Sequence, residues 1–246
     1  MIIDVHAHLG EDCVFDIHQD EAELLTAYDR CGVDKAVIQP FVYRPYLEDM
    51  RASHDRIAAF CKANPGRIYG MASINPHFRH EDYGAEAERC IRELGFVGLK
   101  ITTIGTATNP SGKDGLHVFE VARELGVPVM IHTGNGAPFA DPIQLWKAVE
   151  SFPTVKTVIA HTGGNGMLTQ ALLLAEKFEN IWLEPSWMPS VCIGGMIERF
   201  GAQRVMFSSD EVGNLDSALE TFRLVAGSAE NLEWVLGRTA QEVYGL

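Results

Sequence analysis

Eight short apolar runs recur along the chain, at residues 2–8, 35–40, 68–74, 96–102, 128–133, 157–162, 181–185 and 204–209. Most are continuously apolar and rich in Val and Ile rather than alternating. That is the pattern of a parallel strand covered on both faces. Between them lie segments with apolar residues at helical spacing: 21–30, 47–62, 83–94, 116–125, 144–151, 167–178, 191–200 and 215–226. Asp20 stands where an N-cap belongs, and Gly32, Gly95, Gly126, Gly201 and Gly227 stand where helices stop. A last helical stretch, 231–244, is expected across the outside of the fold. Eight strand–helix units in one domain-sized chain predict an α/β fold, a (β/α)8 TIM barrel over residues 1–246, with a doubly wound open sheet as the alternative. Two connections are long, 41–47 and 103–115. The second is rich in Gly and Thr, follows strand 4, and is the expected lid.

Composition narrows the function classes. The 246 residues are 46% hydrophobic and 22% charged, with a net charge of −13. An acidic surface argues against nonspecific binding to nucleic acid or anionic membranes, so a small-molecule substrate is the expected partner, with a homodimer permitted. No apolar run approaches the ~20 residues that span a bilayer. The five cysteines, Cys13, Cys31, Cys61, Cys90 and Cys192, form no CxxC pair and read as reduced, mostly buried thiols. With a first strand that begins at residue 2, leaving no room for a signal peptide, they predict a cytoplasmic protein.

The chemistry lies where the apolar runs end. His6 and His8 are two positions apart and share one face of strand 1. Lys100 ends strand 4, His132 strand 5, His161 strand 6, Glu184 strand 7 and Asp210 strand 8. In a parallel barrel all these ends face the same rim, the one that carries active sites. So many polar groups closing apolar strands would be a costly burial without a function. Imidazole nitrogen with carboxylate oxygen suits a divalent ion, zinc first. The remaining histidines, His18, His54, His77, His80 and His117, fall in loops or helices and read as structural; His18 and His77 follow strands 1 and 3 and are near enough in sequence to approach the site.

Several motifs carry a family resemblance: Asp4-Val5-His6-Ala7-His8, Asn64-Pro65-Gly66-Arg67, Gly70-Met71-Ala72-Ser73-Ile74-Asn75-Pro76, Gly95-Phe96-Val97-Gly98-Leu99-Lys100, Ile131-His132-Thr133-Gly134, Ala160-His161-Thr162-Gly163-Gly164 and Phe207-Ser208-Ser209-Asp210. Their order and spacing resemble the amidohydrolase superfamily, in its amidohydrolase 2 branch of metal-dependent barrel hydrolases and non-oxidative decarboxylases. The resemblance implies that His6, His8, His132 and Asp210 hold the metal. Asp210 would also handle the proton of a bound water, with His161 as the acid/base group beside it. Lys100 would contact substrate around a single ion; the alternative is a carboxylated lysine bridging two ions, with His161 on the second. A third reading pairs Lys100 with Glu184. Arg44 is the candidate grip on a substrate carboxylate. Glu211 departs from the family pattern, because many relatives follow the aspartate with an aromatic residue. Compactness leads to the expected function: a hydrolase of a small ester, lactone or amide using a metal-activated water. The alternatives are a metal-dependent decarboxylase of an aromatic or unsaturated acid and, behind both, a non-catalytic ligand-binding barrel.

Overall fold

The computed structural model describes residues 1–42 and 44–246. Nine strands appear among them: β1 Ile3–Glu11, β2 His18–Gln19, β3 Lys35–Pro40, β4 Ile68–Gly70, β5 Ala72–Ser73, β6 Leu99–Ile101, β7 Val129–His132, β8 Thr157–Ala160 and β9 Ile181–Glu184. Helices alternate with them: α1 Glu21–Cys31, α2 Leu47–Ala63, α3 His80–Glu88, α4 Thr103–Thr106, α5 Lys113–Leu125, α6 Trp146–Ser151, α7 Gly164–Lys177, α8 Ser190–Phe200, α9 Leu215–Val225, α10 Ala229–Glu233 and α11 Thr239–Tyr244. Asp20 caps α1 as expected, in a capping box with Glu23.

The strands are the staves of a barrel. The order β1-β3-β4 continues through Met71 into β5-β6-β7-β8-β9, all parallel. The eighth stave closes the ring with single bridges, Leu183 to Val205 and Ala7 to Asp210. It is less regular than the expected strand over 204–209, because several of its bonds go elsewhere. Phe207 N–H donates to Val235 O at 2.8 Å, and Ser209 N–H and Oγ–H donate to the Asp4 carboxylate at 3.0 and 2.5 Å.

Two features of β1 shape the site. First, Asp4 pairs with Ala36 and Ala7 with Ile38, so three steps on β1 oppose two on β3. Such a bulge switches the facing of the strand. Ile3 and Val5 lie in the barrel interior, while Ala7 and Leu9 join the outer core; His6 and His8 are thereby turned inward. Second, β1 runs past the barrel and pairs with β2 as a hairpin. Asp12 fixes its tip by accepting the N–H groups of Val14 and Phe15 at 2.7 and 2.8 Å.

Inside the barrel, Ile3, Val5, Val37, Met71, Met130, Val158, Ala160 and Met206 form one apolar cluster. Ala240, Val243 and Tyr244 of α11 close it from below. The C-terminal helix is therefore a plug under the barrel rather than a strap across its outside, because its apolar side chains meet the open end of the inner core. Among the described residues no helix is long and apolar enough to cross a membrane. All five cysteines are free, but only Cys90 is buried and Cys13 is exposed, which corrects the expectation of mostly buried thiols.

Outside the barrel, α2 and α3 are joined by a buried charge cluster. Glu86 accepts from His54 Nδ1 at 2.8 Å, Arg89 Nη2 at 2.8 Å and Arg51 Nε at 2.9 Å. Ser73 N–H donates to His54 Nε2 at 3.2 Å, which ties the cluster to the end of β5. Burial opposes ionisation of Glu86, but the hydrogen bonds from His54, Arg89 and Arg51 outweigh it and hold its carboxyl well below the usual range. The unfolded chain therefore binds the proton first as pH falls. The stabilisation is complete above the unfolded pKa of about 4.3 and drains away below it. Urea unfolding from pH 6 to pH 3 should show wild-type stability falling more steeply than that of Glu86→Gln. Parallel curves would remove this role from Glu86.

Candidate metal and substrate site

At the C-terminal rim of the staves lies an open cavity of about 90 Å³. His6, His8, Lys100, His132, His161 and Asp210 all line it, with Phe15, Ile17, Phe41, Val42 and Ile104 as apolar walls. Six of the seven side chains singled out from sequence as ligand, catalytic or substrate contacts thus meet in one place. Arg44 does not. It is exposed and lines a neighbouring outer cavity with Glu11, Asp12, Cys13, Asp16, Ile17 and His18. His18 stands there too, and His77 pairs with Asp114 at 2.7 Å instead of entering the site. The expected lid is a packed wall. Its first turn is α4, and Thr103 Oγ–H donates to His132 O at 2.9 Å.

The centre is built from three converging atoms. His6 Nε2 is 3.1 Å from His8 Nε2 and 3.1 Å from Asp210 Oδ1, and His8 Nε2 is 3.3 Å from Asp210 Oδ1. The other side of each ring fixes its tautomer. His6 Nδ1 faces Glu184 Oε2 at 3.0 Å and His8 Nδ1 faces Pro40 O at 2.9 Å. Both partners accept, so each Nδ1 carries the proton and each Nε2 turns a lone pair inward. Two lone pairs and a carboxylate oxygen crowded together repel unless a cation lies among them. Donors about 2.0–2.2 Å from an ion stand roughly 3 to 3.5 Å apart, which is the spacing found. The residues fit a divalent ion, and the Glu184–His6 contact is the carboxylate support such a ligand commonly has.

The electrostatics agree. Burial, then the Lys100 charge, lowers His6 to about 3. Burial, then His161 and Lys100, lowers His132 as well. Neutral imidazoles are the ligating form. Burial opposes ionisation of Asp210, but the facing histidines, His6 first, hold it well below the usual carboxylate range. Lys100, fully buried, is lowered to about 8 by desolvation; its Nζ lies 3.0 Å from His6 Nε2 and 3.3 Å from Met130 Sδ. Glu184 does not pair with it. That carboxylate is occupied by His6, by the N–H groups of His161 and Ser186 at 3.1 and 2.9 Å, and by the Ser208 hydroxyl.

His132 Nδ1 faces His161 Nε2 at 3.1 Å, and His161 Nδ1 contacts Ser186 Oγ at 2.7 Å. His132 thus stands beside the converging trio rather than within it. Sequence reasoning missed two contributors, Phe41 and Trp187, and gave a third, Glu184, the wrong partner. Glu184 is the internal support of the site. Phe41 stacks on His8 with centroids 4.7 Å apart and planes 17° apart. The Trp187 indole N–H donates to Asp210 Oδ2 at 2.7 Å. A Trp soon after the strand-7 glutamate was the one signal available for the last.

The profile of the Amidohydrolase family matches residues 3–246. The chain belongs to the amidohydrolase 2 family. The chain is 24% identical over 257 residues to the "Decarboxylase orsB" of Emericella nidulans, covering 81% of this chain and 77% of the relative. It is 24% identical over 242 residues to the 2-keto-4-carboxy-3-hexenedioate hydratase of a Sphingobium species, covering 78% of this chain and 70% of that one. Its fold matches the dihydroxybenzoic acid decarboxylase of a Polaromonas species, solved with bound manganese and the inhibitor 2-nitroresorcinol, at a TM-score of 0.81 and 17% identity, over 100% of this chain and 97% of the other. The barrel expectation holds. The hydrolase expectation does not: these relatives are a decarboxylase and a hydratase, which break or form bonds to carbon without hydrolysing an ester or amide. Compactness, the feature that pointed to hydrolysis, fails to separate the two chemistries because both run on the same rim.

Proposed function

We propose that this protein is a metal-dependent lyase of small carboxylic acids, a non-oxidative decarboxylase of an aromatic or unsaturated acid. The observation that supports it best is the pairing of a cation-shaped donor set with a cavity whose walls are partly apolar, with Asp12 and Glu211 also at its edge. Phe41, Val42, Ile104, Ile17 and Phe15 make walls suited to a ring or conjugated chain, and Lys100 supplies the buried cation for its acid group. One divalent ion is held by His6, His8 and Asp210. His132 is the fourth ligand in this reading, its Nε2 having no protein partner among the described residues. Manganese suits these N and O donors as well as the zinc expected from sequence, and it is the ion in the Polaromonas enzyme. When bound, the ion supplies Lewis-acid polarisation of an acid or phenol oxygen.

The protein's own groups then do the rest. Lys100 orients the carboxylate, and the apolar walls exclude water and favour loss of charge as neutral carbon dioxide forms. Cleavage leaves the bonding pair on the substrate carbon, which takes up one proton, so the overall change is RCOO⁻ + H⁺ → RH + CO₂. In this reading Asp210 and His161, whose Nε2 lies 3.1 Å from His132 Nδ1, hold and deliver that proton. Protein loaded with Mn²⁺ should release CO₂ from a panel of dihydroxybenzoic and conjugated unsaturated acids, and chelator should stop it. A product heavier by one water, without CO₂, would replace decarboxylation with hydration; a chelator-insensitive reaction would sink the metal dependence.

A further inference from the structure

Asp210 uses its two oxygens differently. Oδ1 turns to the imidazoles, 3.1 Å from His6 Nε2 and 3.3 Å from His8 Nε2. Oδ2 accepts the indole N–H of Trp187 at 2.7 Å. Trp187 is an odd residue to find there. It is 55% exposed, so little of its ring is placed by packing. Its φ of 65° lies in the left-handed region, which strains the backbone of a non-glycine residue. Glycine would relax that backbone, and a polar residue would suit the exposure. The one thing that Trp contributes and neither replacement retains is an N–H held at the end of a rigid ring, aimed at the carboxylate.

The geometry on the other side matches. Asp210 is itself left-handed, with φ 67°, and its N–H donates to His6 O at 2.7 Å. Its backbone is thus tied to one ligand strand and its side chain to the loop after β9. Trp187 follows Glu184 by three residues, and that loop is anchored by Ser186 N–H on Glu184 and Met188 N–H on Pro185 O at 3.1 Å. The indole therefore projects from a fixed base.

We propose that Trp187 is a positioning residue that occupies Oδ2 of Asp210 and commits the carboxylate to present Oδ1 alone to the ion and substrate. This rests on the metal-dependent reading above. Without the N–H, the carboxylate is free to turn about its Cβ–Cγ bond or to offer both oxygens at once. Affinity and proton delivery then suffer together, while the apolar walls that bind substrate are untouched.

The test needs no substrate. Metal-free protein is titrated with MnCl₂ by calorimetry, and the Mn²⁺ electron paramagnetic resonance spectrum of each complex is recorded. The variants are Trp187→Phe, which keeps an aromatic ring without the N–H, and Trp187→Gly, which also relaxes the backbone. Trp234→Phe, on the outer wall, is the control. Both Trp187 variants should weaken Mn²⁺ binding about 10- to 100-fold, the usual effect of losing a group that orients a ligand, and should alter the spectrum; the control should do neither. Wild-type affinity and spectrum in Trp187→Phe would overturn the proposal, whether or not Trp187→Gly is impaired, since the N–H would then be idle. A wild-type protein that binds no Mn²⁺ would overturn the metal reading itself and this inference with it. Normal wild-type binding that neither variant changes would overturn this inference alone.

Discussion

Asp210→Asn should lower turnover by about 10²–10⁴-fold, the range carried by a positioned proton-transfer group, and should weaken Mn²⁺ binding while the barrel stays folded. The substitution isolates charge from shape. Asp210 has a left-handed backbone with φ 67°, a conformation that Asn tolerates at least as well as Asp. Its N–H bond to His6 O is a backbone contact and survives. What is lost is the negative charge facing His6 and His8, and the ability of Oδ1 to carry a proton. An amide placed there turns either a neutral carbonyl or an N–H₂ group toward the imidazole lone pairs, and neither attracts a cation as a carboxylate does. Calorimetric titration with Mn²⁺, CO₂ release and circular dichroism measure the three consequences separately. Activity and affinity within threefold of wild type would remove Asp210 from the site.

The second large effect belongs to stability. Glu184→Ala should destabilise the protein by about 3–5 kcal/mol, as expected when one partner of a buried charged network is deleted. At ~2–4 °C per kcal/mol for a chain of this size, the melting temperature should fall by roughly 10 °C. Glu184 is fully buried and accepts hydrogen bonds from the His6 ring, two backbone N–H groups and the Ser208 hydroxyl. Alanine orphans all of these donors inside the barrel, and a buried unsatisfied donor costs about 1–3 kcal/mol. It also releases His161, whose φ of 59° requires outside support. Glu184→Gln retains one acceptor oxygen and should lose less. A thermal melt of Glu184→Ala within 2 °C of wild type would contradict this account.

Both residues illustrate how far sequence reading reaches. Asp210 was conspicuous because it is an acid directly after an apolar run, and the structure places it where that pattern suggested. Glu184 stood out equally, but its partner was misjudged. Lys100 seemed the natural counter-charge, whereas the carboxylate turns to His6, to the His161 N–H at the end of the neighbouring β8 and to the Ser186 N–H just past its own strand. Arg44 was chosen as the free cation of a loop near the rim, yet that loop directs it to the outer cavity. Trp187 offered only its place three residues after Glu184, because a single indole N–H aimed at an oxygen leaves no periodicity.

The division has a physical basis. Strand type, helix stops and the rim that collects the polar residues follow from local rules: continuous apolar runs need cover on both faces, and side chains at strand ends share an end when strands are parallel. These rules need only neighbours along the chain, so the amino-acid order was enough to place eight staves and bring His6, His8, Lys100, His132, His161 and Asp210 to one rim. Facing and pairing depend on contacts between distant segments. The bulge between Asp4 and Ala7 changes which side chains point inward, and it is defined against β3. The lone pairs of His6 and His8 point at Asp210 because Glu184 and Pro40, far away in sequence, take the opposite nitrogens. Folding in three dimensions turned a row of polar strand ends into a centre shaped for a cation.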